Sequence, residues 1–143
     1  MFLLVVAVGL AAVAVVRWRA AGVAHAITPP AGATLPSPDG PGFDRDVLDR
    51  AGIIARSLRS DRGDATVRTY AMPSGSPWLH SRKVVATQLD HWERIGDCRD
   101  NPEGVIVECA WREPTRWWPR QVVLTMMRLP SATYVIIGSG VGD

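Results

Sequence analysis

Val105 to Ile137 reads VIVECAWREPTRWWPRQVVLTMMRLPSATYVII, and three β-rich runs separated by turn residues can be cut from it. Val105 to Trp111, Gln121 to Leu129 and Thr133 to Ile137 are each rich in Val, Ile, Thr and aromatic residues, the composition of strands. Pro130 and Ser131 leave only a tight connection between the last two, which predicts an antiparallel hairpin. In the first run a period of two places Val105, Val107, Cys109 and Trp111 on one face, so Cys109 points inward. Glu108 and Arg112 point elsewhere.

Working back from that stretch, Ser76 and Pro77 have the form of a helix start, with a serine cap followed by proline in the first turn. At 100° per residue Trp78, Leu79, Val85, Ala86, Leu89 and Trp92 share one face, which predicts a long helix ending at Gly96 and Asp97. His80, Lys83, Thr87, Asp90, His91 and Arg94 form its polar side. Thr66 to Met72 (TVRTYAM) reads as a strand. Before it, Phe43, Val47, Ala51, Ile54, Ala55 and Leu58 recur at three- and four-residue intervals, predicting an amphipathic helix capped by Asp44 and ended by Ser60 to Asp64. Gly138-Ser139-Gly140 reads as a flexible tail.

The predicted order is α-β-α-β-β-β, an α+β domain of two layers with the long helix laid across one face of an antiparallel sheet. In architecture this order resembles the cystatin-like or ferredoxin-related small rolls. The Gln-x-Val-x-Gly loop of cystatins is absent from the sequence, so the resemblance implies fold and not protease inhibition.

At the other end of the chain, Phe2 to Val16 (FLLVVAVGLAAVAVV) is fifteen residues without a polar side chain. A spanning helix needs roughly 17 to 25 residues, a length reached if Arg17 and Arg19 snorkel and Trp18 sits at headgroup level. The expected organisation is a membrane anchor or signal-like segment over 1–26, a Pro/Gly-rich linker over 27–42 and an α+β domain over 43–143. With five Pro and three Gly in sixteen residues, the linker reads as an extended spacer that packs no core. Ala24-His25-Ala26 has the small-x-small form of a signal-peptide cut, but no basic residue precedes the apolar run and two follow it. Those flanks favour an anchor that meets lipid through residues 2–19.

Two arguments oppose each other over orientation. Arg17 and Arg19 beside the apolar run place the domain in the cytoplasm by the positive-inside rule. Cys98 and Cys109 are the only two cysteines and close in sequence, and such a pair persists as a disulfide in an oxidising compartment. The disulfide and the spacer favour a single-pass protein with an extracytoplasmic, envelope-facing domain.

The formal charge of +2 is that of Arg17 and Arg19; without these two of the 16 Lys and Arg residues, the remaining 14 balance the 14 acidic residues. A balanced domain lacks the positive field that nucleic acid requires. No Gly-rich phosphate loop, G-x-S-x-G or H-E-x-x-H motif is present, so neither a cofactor nor a metal is expected. His80 and His91 lie about 16 Å apart along a helix, too far to share a ligand, and His25 belongs to no cluster.

The densest unusual stretch is Trp111 to Arg120 (WREPTRWWPR), with three Trp and three Arg. Trp111 is expected in the core and one of Trp117 and Trp118 at the surface. Arg116, Trp117, Trp118 and Arg120 are the candidate contact residues for a protein or glycan partner, because rigid aromatic area with flanking guanidinium groups suits recognition. The expectation is a membrane-anchored, non-enzymatic binding domain. The alternative is a small envelope hydrolase or redox protein with a site around Asp90, His91 and Cys98.

Overall fold

The computed structural model describes residues 1–36, 45–58 and 65–141. It consists of an apolar helix, α1 (Phe2–Ala21), followed by α2 (Arg45–Leu58), β1 (Thr66–Met72), α3 (Trp78–Thr87), β2 (Glu93–Ile95), β3 (Ile106–Arg112), β4 (Arg120–Arg128) and β5 (Thr133–Val141). The five strands form one antiparallel sheet in the order β1-β5-β4-β3-β2. This is the α+β class the element order predicts, with helices packed on an antiparallel sheet. The predicted hairpin is present, with Arg128 opposite Thr133 and the Leu129 amide donating to the Ala132 carbonyl at 3.0 Å. Phe43, Asp44 and the Ser60 to Asp64 helix stop lie outside the described residues.

Both faces of the sheet are covered, because the period of two on β4 and β5 is apolar on each side. Val122, Leu124, Met126, Val135 and Ile137 join Val107, Cys109 and Trp111 in one cluster beneath Trp78, Val85 and Leu89. On the opposite face Val123, Met127, Tyr134 and Ile136 pack against Val47, Ile54 and Leu58 of α2. Strands buried on both sides read as continuous apolar runs, which is the character of QVVLTMM and YVII. Arg50 ties α2 to the sheet as well, donating to Glu108 Oε2 at 2.6 Å, where the Thr125 hydroxyl also donates at 2.7 Å.

Several local expectations are corrected. The long helix stops at Thr87 rather than near Gly96, and residues 88–92 continue as tight turns in which Gln88, Leu89 and Trp92 each bond the carbonyl three residues back. That spacing keeps Leu89 and Trp92 turned toward the core, so the apolar period outlasts the helix. Ser76 does not cap α3; its hydroxyl donates to the Pro73 carbonyl at 2.6 Å, and Pro77 holds the cap position without a side-chain bond. The Glu93–Ile95 segment pairs with β3 as a short edge strand.

The Gly138-Ser139-Gly140 stretch is buried in β5 and is not a tail. A Cβ on Gly138 would come within 2.6 Å of Ile54 Cγ2, and one on Gly140 within 3.0 Å of the Leu58 carbonyl. Glycine is therefore what lets α2 lie this close to the strand.

The Pro/Gly-rich segment also departs from expectation in its described part. Ile27 and Ala33 pack on the α3-side core and Pro30 is buried. Thr34 bridges Ala71 at the edge of β1, its amide donating at 2.9 Å and its carbonyl accepting at 2.8 Å. Gln88 clasps Thr28 through both amide and carbonyl, at 2.8 and 3.0 Å. Up to Thr34 this chain is bound to the domain and does not stand free between it and α1.

Candidate functional site

The strongest polar cluster lies where α1 leaves its apolar run. Turn residues Pro114 and Pro119 bracket a loop between β3 and β4, and Glu113 and Arg120 face each other across its base, with the Glu113 amide donating to the Arg120 carbonyl at 3.0 Å. Arg120 Nη2 donates to Glu113 Oε1 at 2.6 Å, and its backbone amide donates to Oε2 at 3.1 Å. Arg17 Nη2, from the last turns of α1, lies 3.7 Å from Glu113 Oε2. Arg120 Nη1 donates at 3.3 Å to the carbonyl of Val23, just beyond the helix.

Glu113 is thus a nearly buried carboxylate between two arginines. Burial raises its pKa, but the hydrogen bonds from Arg120 and the charges of Arg120 and Arg17 outweigh this and hold it below the ordinary 4.5.

Aromatic contacts extend the cluster. The Arg120 guanidinium lies 5.8 Å from the centre of the Trp92 ring, and His25 tilts against the same ring at 5.1 Å. The His25 amide donates to Ser139 Oγ at 2.8 Å. His25, read from sequence as isolated, is therefore one wall of a cleft of about 450 Å³ shared with Arg68, Tyr70 and Ser139. Nothing in the sequence spacing pointed to this cleft, because its walls come from three separate segments, around His25, Arg68 and Ser139.

Of the four predicted contact residues, Arg116, Trp117 and Trp118 lie in the loop and Arg120 at its base. Trp117 is 44% exposed and Arg116 is exposed, while Trp118 is half-buried and meets Trp117 edge-on at 6.1 Å. Trp118 has φ of 50°, a left-handed conformation that costs a non-glycine residue about 1 kcal/mol or more. The Arg120 side chain bonds Glu113 and the Val23 carbonyl and lies over the Trp92 ring.

Cys98 and Cys109 lie at disulfide distance with Cα atoms 4.7 Å apart, and both are buried. The residues of the alternative site are not brought together. Asp90 and His91 are exposed, 3.8 Å apart, while Cys98 is buried beneath the sheet face and bonded to Cys109. A buried, bonded sulfur presents no thiolate to act as nucleophile. Among the described residues no group of three His, Cys, Asp or Glu side chains could hold a metal ion.

No protein family, curated protein or solved structure matches the chain.

Proposed function

We propose that this chain is a single-pass membrane protein whose α+β domain faces the cell envelope and works as a non-enzymatic interaction module. The loop carrying Arg116, Trp117 and Trp118 is its contact surface. α1 is long and apolar enough to cross a membrane; its apolar run, Phe2–Val16, covers about 22 Å of the hydrocarbon core, and Arg17 and Trp18 carry the helix on into the headgroup layer.

One observation carries the reading: α1 is docked to the domain through Arg17, Glu113 and Arg120, and the chain remains bound to the domain through Thr34. A cut after Ala26 would discard the Arg17 and Val23 partners of the loop base and the His25 amide that meets Ser139, so the contacts favour an anchor that is kept. The buried cysteine pair supports the outward orientation, because the bond persists where the compartment is oxidising.

The full-length chain should stay in the membrane pellet through alkaline carbonate extraction. Its recovery in the supernatant, still at full length, would overturn the reading.

A further inference from the structure

The partner of the contact loop can be taken further, on the basis of the anchored reading just given. Along α1 only Ala14, Arg17, Ala20 and Ala21 are shielded from solvent. Positions 14, 17 and 21 fall on one helical face, and Arg17 on that face meets Glu113 of the domain at 3.7 Å. Ala14 belongs to the apolar run, which ends at Val16. The contact between domain and helix therefore reaches the level at which the hydrocarbon core gives way to headgroups.

One side of the loop base is pinned there, Glu113 to Arg17, and the other is held about 9 Å further from the apolar run, Arg120 to the Val23 carbonyl. The headgroup layer is about 5–7 Å thick on each side. Three residues of chain beyond Glu113 reach at most about 10 Å. The segment Pro114 to Pro119 (PTRWWP) contains one Arg, two Trp and no acidic residue, a composition matched to that layer, where tryptophan rings concentrate and guanidinium groups meet phosphate. On α1 itself Trp18 is 47% exposed beside Arg17 and Arg19, which sets the same residue types at the same level.

We infer that the β3–β4 loop is a second membrane foot, with the Trp117 and Trp118 rings in the headgroup layer and the Arg116 guanidinium on lipid phosphate. The foot and α1 together hold the domain in one orientation on the bilayer, its cleft and sheet edges turned to fixed directions.

The test uses the full chain labelled with 5-fluorotryptophan in nanodiscs of phosphatidylcholine and phosphatidylglycerol, read by ¹⁹F NMR with signals assigned by single Trp→Phe variants. Saturation of the choline methyl protons, which transfers only to groups in contact with the headgroups, should attenuate the Trp18 and Trp117 signals while those of Trp78 and Trp111, both buried, persist. Arg116→Glu should restore the Trp117 signal and leave that of Trp18 attenuated. Attenuation of the Trp18 signal with Trp117 unaffected would overturn the foot and leave the anchor standing. Persistence of both signals would overturn the anchor, and the foot with it. A Trp117 signal that survives in these nanodiscs but broadens when native membrane proteins are added would assign the loop to a protein partner and overturn the proposal.

Discussion

Replacing Cys98 and Cys109 together by alanine should lower the stability of the domain by about 3 kcal/mol, the loop-closure entropy returned to the unfolded chain by opening an eleven-residue separation. Both sulfurs are buried, so the folded structure meets the change with a small cavity and no new exposed surface. The bond joins β3 to the segment that returns from the α3 side, and Arg82 of α3 also holds that segment by donating to the Cys98 carbonyl at 2.7 Å. Thermal unfolding of the variant should fall by on the order of 10–20 °C. Reductant should move the wild-type chain by a similar amount and the variant not at all. An unchanged wild-type melt under strong reductant would show that the pair contributes nothing.

The second large effect is expected at Glu113. Glu113→Ala leaves the partly buried Arg120 without its carboxylate and releases Arg17, and loss of such charge-assisted bonds costs about 2 kcal/mol. Glu113→Gln keeps the shape and one acceptor and should lose less.

The pH dependence follows from the direction of the shift. Because the folded-state pKa lies below 4.5, the carboxylate's contribution is complete above that value and disappears as the pH falls through the lower, folded-state value. Urea unfolding of the full chain in detergent should show wild type and Glu113→Gln converging as the pH is taken well below 4.5, and separated at neutral pH. A constant separation across that range would mean that the charge of Glu113 is not what fastens α1 to the domain.

The parts of this fold that were legible in the sequence are those where one physical signal dominates. The apolar run from Phe2 marks α1, β-branched runs bounded by prolines and serines mark β1, β4 and β5, and the alternation Val107, Cys109, Trp111 orients the inner face of β3. Other parts were hidden because two signals coincide. Turns bonded three residues back mimic helical spacing through Leu89 and Trp92, so the end of α3 left no break in the apolar period. The Glu93–Ile95 strand is exposed throughout and shows no alternation to read.

Glycines at 138 and 140 suggest a loose tail until α2 is known to lie on them, which is a tertiary fact. The same holds for the site. Tryptophan and arginine density singled out the loop, but only the fold shows that Arg120 is committed to Glu113 while Arg116 is left outside, and that both ends of the loop meet the exit of α1. Prolines at 29 and 30 implied a spacer; Pro30 is instead buried, its carbonyl accepting from the Ala33 amide in a turn that brings Thr34 to the edge of β1.

The sequence contains one lysine, Lys83, and it is exposed on α3, which makes the side of the membrane directly readable. Spheroplasts of a bacterial host expressing the chain are treated with a membrane-impermeant amine reagent, and the Lys83 peptide is then examined by mass spectrometry. An anchored, outward-facing domain predicts modified Lys83 in membrane-bound chain that still carries the Phe2–Val16 segment. Modification only after lysis, or modified chain that lacks that segment, would contradict it.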